Sequence, residues 1–324
     1  MKTLSITAFY DTRAGHAKQT AGLVAALARL TPVAVHEVRV PDGTLARDLR
    51  DWARWLGSLA GVRPDFSHLP GYSDAPGKVD MVIGTGTRCH IPLLQMARNR
   101  DARAVTCMGP SSLLVPRFDL CVVPEHDSSP RGDNVVTTLG PPNTAPKDGA
   151  NDPAKGLIAI GGRDEKTHYW DSGDVLAMVY GVARAAPEIA WTITTSPRTP
   201  ADMAPVLAAL ADKADNVAFV PFSETAPGWV EERYGESNIA WVTADSASMV
   251  YEALTAGCRV GILPVRWKGD NKLARGLRKL RERGRVLTYP EVAGGVPWPD
   301  TEPLDEAGRV AREILKRWWP ERSR

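Results

Sequence analysis

The chain has 324 residues, 43% of them hydrophobic and 24% charged, with a formal net charge of +2. This composition excludes a disordered chain, and the length exceeds a usual domain of roughly 100–200 residues, so two domains are expected. So small a net charge makes no case for a nucleic-acid partner, and no run of about 18 apolar residues predicts a transmembrane helix.

The opening Met1-Lys-Thr-Leu-Ser-Ile-Thr-Ala-Phe-Tyr10 reads as a first strand and not as a signal peptide. Cys89, Cys107, Cys121 and Cys258 form no Cys-x-x-Cys pair and read as small hydrophobes of a reducing, cytoplasmic setting. In chain order, Leu4–Tyr10 predicts a strand, Ala21–Leu30 a helix and Val33–Val40 a strand. Thr44–Leu59 predicts an amphipathic helix, with Leu45, Leu49, Trp52, Leu56 and Leu59 on one face. Met81–Ile83, Ala104–Cys107 and Leu120–Val123 follow as strands, with a helix at Leu93–Arg98. Pro141–Pro153 reads as a linker, rich in proline and nearly without apolar residues.

Alternation then restarts. Strands are expected at Gly156–Ile160, Trp191–Thr195, Val217–Val220, Ile239–Val242 and Arg259–Leu263. Helices are expected at Val175–Ala186, Ala201–Ala211, Ser246–Ala256 and Leu304–Trp319. Apolar strands alternating with helices imply parallel sheets covered on both faces. The expected domains are residues 1–145 and 146–324, with packing of the final helix back on the first domain as an option.

Ligands of open parallel sheets bind at the carboxyl ends of the strands. After the first strand, Gly15 allows a tight turn and close ligand approach, and His16 at a helix start is a candidate general base. After the Met81–Ile83 strand, Gly84 and Gly86 suit close backbone approach, although Gly-x-Gly-x-x-Gly is not completed. Glu125, His126 and Asp127 follow the Leu120–Val123 strand. No second cluster has metal-ligand spacing, so no metal is expected and these three read as hydrogen-bonding to an acceptor or to the interdomain loop.

In the second half, Gly161, Gly162 and Arg163 would leave backbone N–H groups for an anion and add a guanidinium fork. Thr195, Ser196 and Arg198 place hydroxyls and a cation at the next strand end. Asp245, Ser246 and Ser248 open a helix whose N-terminus suits phosphate, and Glu252 lies further along it where a carboxylate would accept ribose hydroxyls.

Ser246-x-Ser248-x-x-x-Glu252 resembles the nucleotide-binding segment of GT-B glycosyltransferases of the lipid A disaccharide synthase type. More specifically, the chain resembles the bacterial Elm-type family, named for a plant mitochondrial-fission factor. The matching stretches are Gly15-His16-x-x-Gln19, Phe118–Asp127, Asn134–Gly140, Gly161-Gly162, Thr194-Thr-Ser-x-Arg-Thr199 and Thr243–Met249 through Glu252. The resemblance implies two Rossmann-like α/β domains facing across a cleft, with acceptor on the first and donor nucleotide on the second. It also implies no bound metal or cofactor, the nucleotide-diphosphate sugar being a co-substrate. The loop after Gly162 is longer than in the pattern, and Pro197 stands where an arginine is expected.

The expected activity is glycosyl transfer to an envelope glycan or lipid-linked acceptor, with His16 as base if the reaction inverts. A nucleotide-sugar epimerase using Glu125, His126 and Asp127, or a non-catalytic adaptor, are the alternatives. Arg47, Arg50 and Arg54 beside Trp52 and Trp55, and the basic residues around Leu273, Leu277 and Leu280, suggest an anionic membrane surface as a partner. The basic Trp318-Trp319 tail adds to that surface, and would place the chain at the inner face of the cytoplasmic membrane. Solvated helix faces with packed tryptophans are the alternative reading.

Overall fold

A computed structural model describes residues 2–43, 49–50, 52–54, 56–57, 64–127, 132–300 and 302–322. The chain divides into two compact units: Met1–Thr144 with Glu306–Arg324, and Ala145–Asp305.

The first unit contains β1 (Leu4–Asp11), α1 (Ala14–Leu30), β2 (Val33–Val40), β3 (Met81–Thr85), α2 (Thr87–Arg100), β4 (Arg103–Cys107), β5 (Leu120–Pro124) and β6 (Val135–Thr138). Its six strands pair in the order β2-β1-β3-β4-β5-β6, every pair parallel. β3 and β5 are buried at every residue, as strands with both faces covered must be. β2 is an edge strand, and His36, Glu37 and Arg39 keep it polar.

The second unit contains β7 (Asp152–Ala159), β8 (His168–Tyr169), α3 (Ser172–Ala185), β9 (Ala190–Thr194), α4 (Met203–Ala211), β10 (Val217–Val220), α5 (Trp229–Glu236) and β11 (Ser237–Thr243). It continues with α6 (Ala247–Thr255), β12 (Arg259–Leu263), β13 (Arg266–Trp267), α7 (Lys272–Glu282), β14 (Val286–Thr288) and α8 (Tyr289–Ala293). Six strands form a parallel sheet in the order β10-β9-β7-β11-β12-β14, while β8 and β13 pair separately as an antiparallel ribbon.

The last helix, α9 (Glu306–Trp318), belongs to the first unit. Leu4, Ile6 and Ala8 of β1 point to one face of the sheet, where Leu23 and Leu27 of α1 meet Ile314 and Leu315 of α9. Phe9 points the other way, into a core with Leu93 and Met96 of α2. This is the period-two alternation of a strand.

Several elements escaped the sequence pattern. β6 and β14 are too short for periodicity to register, and β8 and β13 have two residues each. α5 is mostly polar, and α7 buries only Ala274, Gly276, Leu277 and Leu280. The linker expected through Pro153 ends earlier, because β7 begins at Asp152. Of the helix expected at 44–59, residues 49–50, 52–54 and 56–57 are helical, and the remainder, with Arg47 and Trp55, lies outside the described residues. Among the described residues, no helix is long and apolar enough to cross a membrane.

Ile314 is 0% exposed and joins α9 to the sheet core. Ile314→Ala should therefore destabilise the first unit by about 2–5 kcal/mol, seen as a lower urea midpoint for that unit.

Candidate functional site

Each sheet has one point where the strand order reverses and the connecting helices pass to opposite faces. In the first it lies between β1 and β3; in the second, between β7 and β11. Crevices at the carboxyl ends of such pairs are the binding places of open α/β sheets.

At the β1/β3 point the chain leaves β1 through Asp11 and enters α1 at Ala14. His16 lies in the first turn of α1, and its Nδ1 sits 2.7 Å from Asp11 Oδ2. The other carboxylate oxygen accepts the Arg13 N–H at 3.0 Å. A carboxylate at Nδ1 holds the Nδ1–H tautomer and turns Nε2 into an acceptor, the geometry of an oriented base. The pair is mostly enclosed, with side-chain exposures of 13% for His16 and 5% for Asp11.

Gly86 makes room for this pair. It has φ +97°, and a Cβ there would lie 2.4 Å from His16 Nδ1 and 2.7 Å from Asp11 Oδ2. Gly84 has a different role from the one expected. A Cβ on it would meet Phe9 and Leu93, so it closes the packing of β1, β3 and α2. Gly15 is a helical residue of α1 and makes no tight turn, but its position is open, and a Cβ there would meet nothing within 4 Å. Glu125, His126 and Asp127 are half-buried in the turn after β5, two strands from β3, and each already has a polar or electrostatic partner.

At the β7/β11 point the centre is Asp245, 4% exposed. Its Oδ2 accepts the Gly162 N–H at 2.9 Å and an Arg198 guanidinium N–H at 2.8 Å. The Gly161 N–H donates to Thr243 Oγ1 at 2.7 Å, and the Arg163 N–H to the Arg198 carbonyl at 3.0 Å. The expectation that this glycine turn leaves N–H groups for an anion is thus corrected: the protein uses all three itself. Ser196 Oγ donates to the Gly161 carbonyl at 2.9 Å, and Thr195 Oγ1 accepts the Phe222 N–H at 2.9 Å. These hydroxyls brace loops. Arg198, tied to Asp245, also donates to the Gly162 carbonyl at 3.3 Å.

Ser246 is the N-cap of α6 but makes no side-chain capping bond. Among the described residues, no acceptor takes the N–H groups of Ala247, Ser248 or Met249, so this helix N-terminus retains its donors. Ser248 is exposed, and Glu252, one turn further along the same face, is 2% exposed. A solvated Glu252 is excluded. Its charge helps raise the Tyr234 pKa, after burial of that phenol as the larger cause.

Two contributors were missed in the sequence. Asp11 sits at a strand end with no motif to mark it. His168, in the longer loop after Gly162, is 2% exposed and its Nε2 lies 3.0 Å from the Gly162 carbonyl. It lies on β8, which pairs with β13, and its Nδ1 is 2.9 Å from Thr167 Oγ1. Among the described residues, no group of three or more His, Cys, Asp or Glu could hold a metal ion.

Of the tryptophans expected at a membrane-facing rim, Trp55 lies outside the described residues and the other three are partly buried. Trp52 lies against the α2-side core, and Trp318 and Trp319 against the α1–α9 core. Arg275 and Arg278 pair with Asp270, and Arg281 with Glu291, so much of the α7 charge is balanced locally.

The mitochondrial fission ELM1 family matches residues 14–318. The chain belongs to that family. No curated protein matches it. Among solved structures, this ELM1-family chain is similar to UDP-GlcNAc 2-epimerase from Methanocaldococcus jannaschii, at 10% identity. That alignment covers 97% of this chain and 100% of the other, with a TM-score of 0.57. It is also similar to MurG of Acinetobacter baumannii, at 16% identity over 99% and 94% of the two chains, with a TM-score of 0.49. The likeness to the epimerase is one of fold, the GT-B type.

His90, on α2, is 2% exposed and its Nε2 lies 3.2 Å from Thr106 Oγ1. Burial first, then the charge of His16, lower its pKa to about 4. The unfolded value is about 6.5, so between these values the unfolded chain binds the extra proton. The stability held by neutral His90 is therefore complete above about pH 6.5 and is lost as pH falls towards 4. Comparing urea midpoints at pH 5 and pH 7, the wild type should lose stability on acidification, and His90→Gln should lose less.

Proposed function

We propose that this protein is a metal-independent glycosyltransferase: the second unit binds a nucleotide-diphosphate sugar, and His16 deprotonates an acceptor hydroxyl. The observation that carries the reading is the His16–Asp11 pair, which presents Nε2 as an acceptor at the β1/β3 switch point. A histidine that served only packing would need no carboxylate to select its tautomer.

On the donor side, the N-terminal N–H groups of α6 and the Ser248 hydroxyl approach phosphate, and Glu252 accepts the ribose hydroxyls. Asp245 and Arg198 hold the Gly161–Arg163 turn in shape beside them. Transfer forms a bond from the acceptor oxygen to the sugar's anomeric carbon and breaks the bond from that carbon to the diphosphate. The acceptor proton goes to His16 Nε2, and the developing imidazolium is stabilised by Asp11. The nucleoside diphosphate leaves with its charge shared between the α6 N-terminus and basic side chains of the second unit, with no cofactor invoked. In this reading the acceptor is an envelope glycan or a lipid-linked saccharide.

His16→Ala should slow transfer by about 10²–10⁴-fold, while nucleotide affinity, built by the other unit, stays within about twofold. Turnover that survives within about threefold, with chemistry limiting, would remove His16 as the base. Asp11→Asn should also lower kcat, with KM nearly unchanged, because an amide can no longer stabilise the imidazolium.

Glu252→Gln should weaken nucleotide binding by about ten- to a hundredfold, the worth of charge-assisted hydrogen bonds. Calorimetry with a correctly folded variant checks this, and unchanged affinity takes Glu252 out of the site.

A further inference from the structure

The hydrogen bonds at the β7/β11 point leave the leaving group's charge underserved. The N–H groups of Gly161, Gly162 and Arg163 have acceptors within the protein, and Arg198 is engaged with the Asp245 carboxylate. Asp245 is itself an anion close to where phosphate would sit. The α6 N-terminus supplies the partial charge of a helix end, which is less than a diphosphate carries. The exposed Arg163 side chain is one cation at this turn, and a diphosphate would be served by more.

The β8–β13 ribbon offers them. β8 comes from the loop leaving β7 and β13 from the loop leaving β12, the two strands that flank β11 in the sheet. Their pairing therefore ties together the loops on either side of the strand that leads into α6. Two hydrogen bonds fix the proximity: His168 Nε2 is 3.0 Å from the Gly162 carbonyl, and the Gly162 N–H is 2.9 Å from Asp245, which precedes the α6 cap.

Along β13 the side chains alternate. Trp267 is half-buried, edge-on to the His168 ring at 6.1 Å, whereas Arg266 and Lys268 are exposed. Arg266 lies 4.9 Å and Lys268 4.6 Å from the exposed Tyr169 ring, which holds both cations on one surface. Lys268 Nζ donates one bond, to the Glu165 carbonyl at 2.7 Å, leaving further donors on the ammonium. Among the described residues, the Arg266 guanidinium has no hydrogen-bond or carboxylate partner. The ribbon is also braced: the Lys268 N–H and the Asn271 side chain both donate to the Thr167 carbonyl, at 2.9 and 3.2 Å. A cation held in place loses less freedom on binding than one on a mobile loop.

We infer that Arg266 and Lys268, presented by this ribbon, bind the diphosphate of the nucleotide, while the Gly161–Arg163 turn is a structural brace. The inference rests on the reading of the second unit as a nucleotide-diphosphate site. It assigns the longer loop after Gly162 a purpose, since that loop is half of the ribbon. It also accounts for a ribbon whose inward residues, His168 and Trp267, pack while Arg266 and Lys268 face outward around Tyr169.

The test is calorimetry on the full chain with the common nucleoside diphosphates, the matching nucleosides and inorganic pyrophosphate, at low and moderate salt. Arg266→Ala and Lys268→Ala should each weaken nucleoside diphosphate and pyrophosphate binding about tenfold or more, and flatten its salt dependence. Nucleoside affinity should not change, Arg266→Lys should recover part of the loss, and Arg184→Ala, which removes an exposed cation near the end of α3, should have no effect. If the wild type binds nucleoside diphosphates and the ribbon variants bind them equally well, the inference is wrong and the donor site stands. If the variants lose nucleoside affinity in proportion, the ribbon shapes the site and does not bind phosphate, which also overturns it. If the wild type binds no nucleoside diphosphate, the donor-site reading fails and takes the inference with it.

Discussion

Parallel strands cannot leave a face to water without exposing apolar side chains, and this one constraint organises both units. In the first sheet β3 and β5 are wholly buried, so helices must cover each face and connections must run over the strand ends. Unsaturated polar groups can then collect only where strands end and helices begin. α9 follows from the same need. It returns from beyond the second unit's last strand to lay Ile314 and Leu315 on the face that α1 alone does not cover.

The two switch points use their polar residues differently. At β1/β3 a carboxylate orients an imidazole, and Gly86 gives way to both. At β7/β11 a buried carboxylate gathers backbone and guanidinium donors, so that Asp245, Gly162 and Arg198 form a hub joining three loops. Only Oδ2 of this carboxylate is engaged in that way, since the buried Oδ1 has no hydrogen-bond partner among the described residues. Among the described residues, the N–H groups that open α6 and the Arg266 guanidinium keep donors to spare, and the proposed donor chemistry draws on them.

Neighbouring histidines show the same economy of roles. His90 is enclosed against Phe118 and Thr106, and its proton affinity is depressed by burial and by its neighbour. His16 has instead a carboxylate on one nitrogen. Two imidazoles of one unit thus differ in environment, one facing a hydroxyl in the core and the other an anion at a strand end.

The sequence by itself determined the class of fold: apolar runs such as Met81–Ile83 and Leu120–Val123, separated by helical patterns, admit only parallel sheets covered on both sides. It also marked the strand ends, because glycines, hydroxyl residues and charges interrupt the apolar pattern there. His16, Asp245, Ser246, Ser248 and Glu252 were legible for that reason. It could not show which of those groups are already spent. That Gly161 and Gly162 give their N–H groups to Thr243 and Asp245 depends on partners about 80 residues away, which local pattern does not encode. Asp11 had no signal beyond its place at a strand end, and β8 and β13 are too short for any period to reveal them. Only tertiary structure decided these, because a hydrogen bond between distant segments is fixed by how the strands are ordered in the sheet, and strand order is a property of the folded chain.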